Sequence, residues 1–313
     1  MNFLHLLASL RTPALDAFFS ALTHLGGETV FMVLAIAIFW CISKRCGYFI
    51  LVTGFFGTAV NQFLKIACRV PRPWVLDANF PIVEAARADA GGYSFPSGHT
   101  QNAVGTFGAL FAYHNNRILR IVCALAVILV PFSRMYLGVH TPLDVGVAFV
   151  MAIALLILLS PIFRDEDRFA RAMPRLLTLG IVLSVLFAAY TMLYPFPADV
   201  DAHNLHEATK NAFTLVGALG GFLLVYFLDT RYIHFDPKAP LVGQILKLVF
   251  GLALLLAVKA GLKSPLNTVF GGHEIASAVR YFLMVVFAGA VWPLTFPFFS
   301  KLGKRKEHPH AQD

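Results

Sequence analysis

Charge is what this chain has least of. Only 13% of its 313 residues are Asp, Glu, Lys or Arg, against 58% hydrophobic residues. A mean hydropathy of +0.71 puts it outside the range of soluble two-domain proteins of this length and points to lipid as the solvent. No CxxC pair occurs among the four cysteines Cys41, Cys46, Cys68 and Cys123, which lie in or beside apolar runs and read as small hydrophobes. No basic motif of the nucleic-acid-binding kinds appears, so the formal net charge of +8 is not read as a nucleic-acid footprint. Residues 1–25 lack a basic start, an uninterrupted apolar core and a small-residue cleavage site, and no cleavable signal peptide is expected. Internal repeats of the kind found in transporters are also missing.

What is present is a succession of apolar runs, at 27–43, 48–66, 100–114, 117–135, 142–163, 174–195, 209–230, 240–262 and 276–299. They read as nine spans of an all-α, polytopic membrane helix bundle, several at the short end of the roughly 17–25 residues a bilayer requires. Residues 1–26 are interrupted by Arg11, Pro13 and Asp16 and are expected to form an interfacial amphipathic segment. With nine spans, fourteen of the 25 basic residues fall on one face, ten on the other, and Lys247 within a span. The positive-inside rule makes the richer face cytoplasmic, together with the basic tail 301–313.

The polar residues that break the apolar pattern gather in three places. KIACRVPRP carries Lys65 and Arg72; PSGH carries Ser97, Gly98 and His99; SRMYLGVHTPLD carries Arg134, His140 and Asp144. Span parity puts all three on the extracytoplasmic face. Alone, PSGH reads first as an ordinary capped helix start, but Ser97 as N-cap and Gly98 beside free first-turn amides also make an anion site. Lys65, Arg72 and Arg134 suit a phosphate dianion, the guanidinium groups gripping oxygens bidentately; basic residues at span ends can otherwise simply snorkel. Asp144 can complete a capping box with Thr141 or accept a hydrogen bond from His140. Two histidines on one face allow one imidazole to attack phosphorus and the other to protonate the leaving oxygen. The loop 194–211 offers His203 and His206 beside Asp199, Asp201 and Glu207, and is read as a solvated loop in preference to a metal site.

The spacing K-x6-RP, then PSGH, then SR-x5-H-x3-D, with every motif position filled, resembles the type 2 phosphatidic acid phosphatase (PAP2) superfamily, which shares its phosphate site with vanadium haloperoxidases and glucose-6-phosphatase. The resemblance covers a six-span core, residues 27–195, and leaves residues 196–300 as an extension of about three spans. It implies His140 as a nucleophile forming a phosphohistidine, with Asp144 raising its basicity. It implies His99 as general acid and later activator of water, and Lys65, Arg72, Arg134, Ser97 and the Gly98 amide as holders of the phosphoryl oxygens, with no metal and no cofactor. The expected activity is hydrolysis of a lipid phosphate or diphosphate (undecaprenyl diphosphate, phosphatidylglycerol phosphate, phosphatidate or a sphingoid phosphate) at a bacterial plasma membrane. A sugar-phosphate phosphatase of glucose-6-phosphatase type and a non-enzymatic lipid transporter are the alternatives. The expected partners are the lipid phosphate and membrane lipids, and the oligomeric state is left open.

Overall fold

The computed structural model describes residues 1–302, so most of the basic tail expected at 301–313 lies outside the described residues. Among the described residues every regular element is helical. Two short helices, α1 (Asn2–Ser9) and α2 (Pro13–Thr23), precede α3 (Glu28–Cys41) and α4 (Lys44–Cys68). A one-turn helix α5 (Pro73–Leu76) opens the long connection to α6 (Gly98–Tyr113). Then come α7 (Arg117–Tyr136), α8 (Pro142–Arg164), α9 (Glu166–Leu193), α10 (Ala202–Leu228), α11 (Leu241–Val269), α12 (Ile275–Val286) and the terminal turn α13 (Phe296–Phe299).

The helix starts are written locally. Ser43, Ser97, Asn116, Thr141, Asp165 and Asp201 each accept a first-turn backbone N–H with the side chain, at α4, α6, α7, α8, α9 and α10. Such caps stabilise a helix by about 1 kcal/mol each. Helix α4 is the central column, packing against α3, α6, α8, α9 and α10. Around it the aromatic rings of Phe39, Tyr48, Phe55 and Phe222 pack edge-on or tilted. Outward faces stay apolar: Ile118, Ile121, Leu125 and Ile128 on α7 and Ile157 and Leu158 on α8 are exposed, as a lipid-facing surface requires.

All nine apolar runs are helical, but among the described residues only seven helices are long and apolar enough to cross a membrane by themselves, or eight if the bent pair of Pro13–Gly26 and Glu28–Cys41 counts as one span. The other two runs form α3, of 14 residues, and α6, of 16. α3 is bent by 50° from the segment before it. The break falls at Gly26–Gly27, where Gly26 lies against the His99 backbone carbonyl and a Cβ would collide.

Residues 1–26 are tied into the bundle. Arg11 donates from Nε and Nη2 to the Tyr136 carbonyl at the end of α7 and from Nη1 to the Pro81 carbonyl, and the Tyr136 hydroxyl donates to Asp16. Two of the polar residues that interrupt the segment are thus its attachment points. The segment read as a loop at 194–211 is a loop only to Asp201; from Ala202 onward it is the first turns of α10. His206 faces Glu274 at 3.5 Å across to the start of α12.

In the extension, α12 packs closely on α10 through Gly217 and Gly221, where a Cβ would strike the Ala278 and Phe282 carbonyls; Gly220 sits more loosely against the Phe282 ring. Lys247 is fully buried, but it lies less than two turns into α11. Its Nζ donates to the Pro237 carbonyl at 2.8 Å and stands 4.4 Å over the Phe296 ring. A lysine tied to the preceding loop in this way is a structural contact of the extension.

Candidate active site

Four helix ends meet at one end of the bundle: the last turn of α4, the first turn of α6, the last turn of α7 and the first turn of α8. They bring Lys65, Arg72, Ser97, Gly98, His99, Arg134, His140 and Asp144 to a common region, although these residues span eighty positions of sequence.

After Lys65 the chain leaves α4 through Arg69, which adopts the left-handed conformation (φ 51, ψ 36), turning the chain sharply so that Arg72 returns over the site. Arg72 is buried and ties the connection 70–95 to the α7–α8 turn. Its Nε and Nη2 donate to the Gly92 and Gly91 carbonyls at 3.0 and 2.7 Å, and Nη1 donates to the Val139 carbonyl and to His140 Nε2, both at 2.9 Å. The Lys65 ammonium donates to the Tyr93 carbonyl at 2.6 Å.

Arg134 and His140 belong to one short cassette. The Arg134 carbonyl accepts from the amides of Val139 and His140 at 3.1 and 3.3 Å, and Gly138 makes the turn between them at φ 79. The Arg134 side chain is fully buried. Its Nη1 donates to Thr23 Oγ1 at 2.7 Å, while Nε and Nη2 have no partner among the described residues. Buried donors left this way cost roughly 1–3 kcal/mol each, more when charged. Among the described residues Lys65, Arg72 and Arg134 stand against the buried carboxylate of Asp144 and the exposed one of Asp89, an excess of positive charge that would suit an anion.

Ser97 caps α6 and its own amide donates to the Asp144 carbonyl at 3.0 Å, joining the α6 and α8 starts. Thr100 N and Gln101 N are taken up by Ser97, so the amides of Gly98 and His99 remain as the free first-turn donors. The His99 ring is half-buried beside Arg134, Arg72 and His24.

Of the two jobs the sequence allows, Asp144 does the first and reaches the second only through a neighbour. It completes a capping box with Thr141, with Thr141 N donating to Oδ2 at 2.7 Å and Thr141 Oγ1 accepting from Asp144 N at 3.2 Å. The same Oδ2 stands 3.6 Å from His140 Nδ1, an ion-pair distance longer than a hydrogen bond. Between them lies Ser94, whose hydroxyl donates to Asp144 Oδ2 at 2.5 Å and sits 3.4 Å from His140 Nδ1. With the carboxylate and hydroxyl on the Nδ1 side and the guanidinium donating to Nε2, the proton belongs on Nδ1 and the lone pair on Nε2. Burial first, then the charges of Arg72, Arg134, Lys65 and His99, holds the His140 pKa well below its ordinary value, so the imidazole is neutral.

Ser94 and Thr23 are the polar contacts that motif reading missed. Ser94 stands three residues before Ser97, outside all three polar motifs, and Thr23 lies in the segment assigned to the interface. No spacing rule marks either.

Below the site a cavity opens between α3, α4, α6, α10, α11 and α12. It runs from Gly98 and Asn61 down to Phe39 and Leu255. Much of its wall therefore comes from the C-terminal extension.

Comparison with known proteins finds two related family descriptions on successive parts of the chain. A description of the PAP2 superfamily matches residues 45–168, and one of the PAP2 superfamily phosphatase transmembrane extension matches residues 213–305. Over 273 residues the chain is 26% identical to lipid phosphate phosphatase delta of Arabidopsis thaliana, covering 80% of this chain and 62% of that protein. Over 175 residues it is 27% identical to phosphatidylglycerophosphatase B of Bacillus subtilis (strain 168), covering 51% and 81%. A third relative, undecaprenyl-diphosphatase BcrC of the same bacterium, is 33% identical over 102 residues, 33% of this chain and 50% of that protein. The chain thus spans less than two thirds of the first and third of these relatives. No solved structure matches it. With two PAP2 superfamily matches falling on successive parts of one helical bundle, this chain belongs to the PAP2 superfamily.

Proposed function

We propose that this protein is a metal-independent membrane phosphatase that hydrolyses a lipid phosphate or diphosphate through a phosphohistidine on His140, at the extracytoplasmic face. The observation that carries the reading is the buried guanidinium of Arg134, two of whose nitrogens have no partner among the described residues, in the same cassette as an imidazole whose Nε2 lone pair is held by Arg72 Nη1. Lys65, Arg72, Arg134 and the Gly98 amide take the phosphoryl oxygens, and the phosphate replaces His140 Nε2 as the partner of Arg72 Nη1. Nε2 attacks phosphorus in line, the ester P–O bond breaks, and the leaving alkoxide takes a proton from His99, which carries it once the bound phosphate dianion offsets the surrounding cations. His99, now neutral, removes a proton from water. The hydroxide attacks phosphorus, the P–N bond breaks, and its electron pair returns to Nε2. Throughout, Nδ1–H stays directed at Ser94 and Asp144. The cations stabilise the charge that develops on the equatorial oxygens.

The orientation rests on charge. Lys44, Arg45, Arg117, Arg120, Arg168 and Arg171 lie at the helix ends opposite the site, which makes that end cytoplasmic by the positive-inside rule. The cavity beneath Gly98, lined largely by apolar side chains, favours an amphiphile over a free sugar phosphate.

The test is phosphate release by purified protein in detergent, with alkali-quenched, acid-labile label transferred from a radiolabelled lipid phosphate as the direct readout. His140→Ala is expected to lose both label and turnover by several orders of magnitude. Label retained on that variant would refute the nucleophile; exclusive turnover of a sugar phosphate would refute the lipid reading.

A further inference from the structure

Helix α4 carries a graded series of chemistries along one face. At spacings of three and four residues, Leu51, Phe55, Thr58 and Asn61 with Gln62 all line the cavity, and Lys65 stands one turn above. Apolar side chains give way to a hydroxyl, then to amides, then to the cation. Helix α6 follows the same order in the other direction: Ser97 and His99 at the site, Gly98 at the cavity rim, then Gln101 and Asn102 on its wall. Asn211 of α10 adds a further amide opposite. With a rise of 1.5 Å per residue, the amide belt lies about 6 Å below Lys65, and Leu51 about 21 Å below it.

The belt has buried polar atoms with nothing to bond. Asn61 is 2% exposed, and among the described residues neither its Oδ1 nor its Nδ2 has a hydrogen-bond partner; Gln101, 1% exposed, leaves Nε2 unpaired. Asn61 Oδ1 lies beside Gly98, 3.9 Å from where a Cβ would stand on that residue. Buried amides without partners destabilise a helix bundle unless a ligand satisfies them, and purely hydrocarbon cargo cannot.

We infer that this amide belt reads the linker of the substrate, the few carbons that follow the phosphate ester oxygen. The inference rests on the phosphatase reading above and narrows it. Preferred substrates carry hydroxyl, ester or amine groups on those carbons, as glycerol-based and sphingoid-based lipid phosphates do. Isoprenyl phosphates present bare carbon there and leave Asn61 and Gln101 unpaired. Below the belt a single hydrocarbon chain enters the apolar floor at Phe39, Leu51, Phe222 and Leu255, to which the extension contributes.

Full-length protein in detergent is given a lysophosphatidate, a sphingoid-base phosphate, an isoprenyl phosphate of similar carbon number and phenyl phosphate, and kcat/KM is measured for each. One or both linker-bearing lipids are expected to exceed the isoprenyl phosphate by at least about 10-fold, since a site built to hydrogen-bond rejects the analogue that cannot. Comparing the first two substrates tells the glycerol source from the sphingoid one. Asn61→Leu is expected to bring the ratio of linker-bearing to isoprenyl substrate down to within about threefold. An isoprenyl phosphate turned over as well as the others by the wild type overturns the inference, as does a folded Asn61→Leu protein that keeps the wild-type ratio. If that variant does not fold, the wild-type ratio decides alone. Turnover of phenyl phosphate and all lipids without preference overturns the linker reading only; no phosphate from any of the four overturns the phosphatase reading with it.

Discussion

Ser94→Ala isolates the contact between His140, the proposed nucleophile, and the Asp144 carboxylate. The serine hydroxyl donates to Asp144 Oδ2 at 2.5 Å and borders His140 Nδ1 at 3.4 Å, whereas carboxylate and imidazole stand 3.6 Å apart. Removing the hydroxyl deletes one hydrogen bond to a charged, fully buried group whose other oxygen, Oδ1, already has no partner among the described residues. Hydrogen bonds to charged groups contribute about 1.5–3 kcal/mol, and each 1.4 kcal/mol is a factor of about ten in rate. The expected loss is therefore about 10- to 100-fold in kcat. KM should move little, because Ser94 reaches the phosphate only through the histidine and is a positioning residue. Steady-state phosphate release for Ser94→Ala, Asp144→Asn and the double variant forms a cycle. If serine acts through the carboxylate, Ser94→Ala should cost much less on the Asp144→Asn background. Full additivity, or a single variant within about twofold of wild type, would refute the arrangement: the carboxylate would then orient His140 without the serine.

Three further outcomes follow from the same geometry. Gly138→Ala places a Cβ at φ 79 and within 2.8 Å of Arg11 Nη2 and the Phe80 ring; a destabilisation of about 1–3 kcal/mol is expected, read as a lowered melting temperature in detergent. Because burial and the surrounding cations disfavour the His140 imidazolium, the neutral nucleophile persists to lower pH than usual. The acid limb of kcat/KM for a phenyl phosphate monoester, after allowance for substrate ionisation, should lie below about 6.5; a limb assigned to His140 at or above that value would contradict the assignment. Gly217→Leu should separate α12 from α10 and lower thermal stability by more than Gly220→Leu, since a Cβ at Gly217 would strike the partner backbone and one at Gly220 would only touch the Phe282 ring; equal effects would argue against the close packing.

The bundle was legible because apolar runs announce themselves: each of the nine became a helix. Length was less legible than hydropathy. α3 is short because the Gly26–Gly27 break bends it away from α2, and a window of hydropathy does not sense a backbone turn. The start of α10 was misread because polar residues from Ala202 to Asn211 obscured a helix that Asp201 caps. At the site, Lys65, Arg72, Arg134, His99 and His140 stood out as polar residues in motif spacing within an apolar chain. Ser94, Thr23 and Arg11 act through contacts made only when distant helix ends meet, and a side chain's partner at 50 to 125 residues' separation leaves no local trace.

The Arg134–His140 cassette also bears on how this protein lives in different bilayers. Its geometry is fixed by backbone bonds from Val139 and His140 to the Arg134 carbonyl and by the Gly138 turn, and Arg72 is tied to it at Val139. Helices tilt to match hydrocarbon thickness, and such adjustment shifts one helix against another. The spacing of Arg134 from His140 is set within seven residues, so tilting leaves it unchanged. The cavity between α4, α10 and α12 has no such protection. Membrane thickness should therefore act more on how readily lipids enter than on the Arg134–His140 spacing.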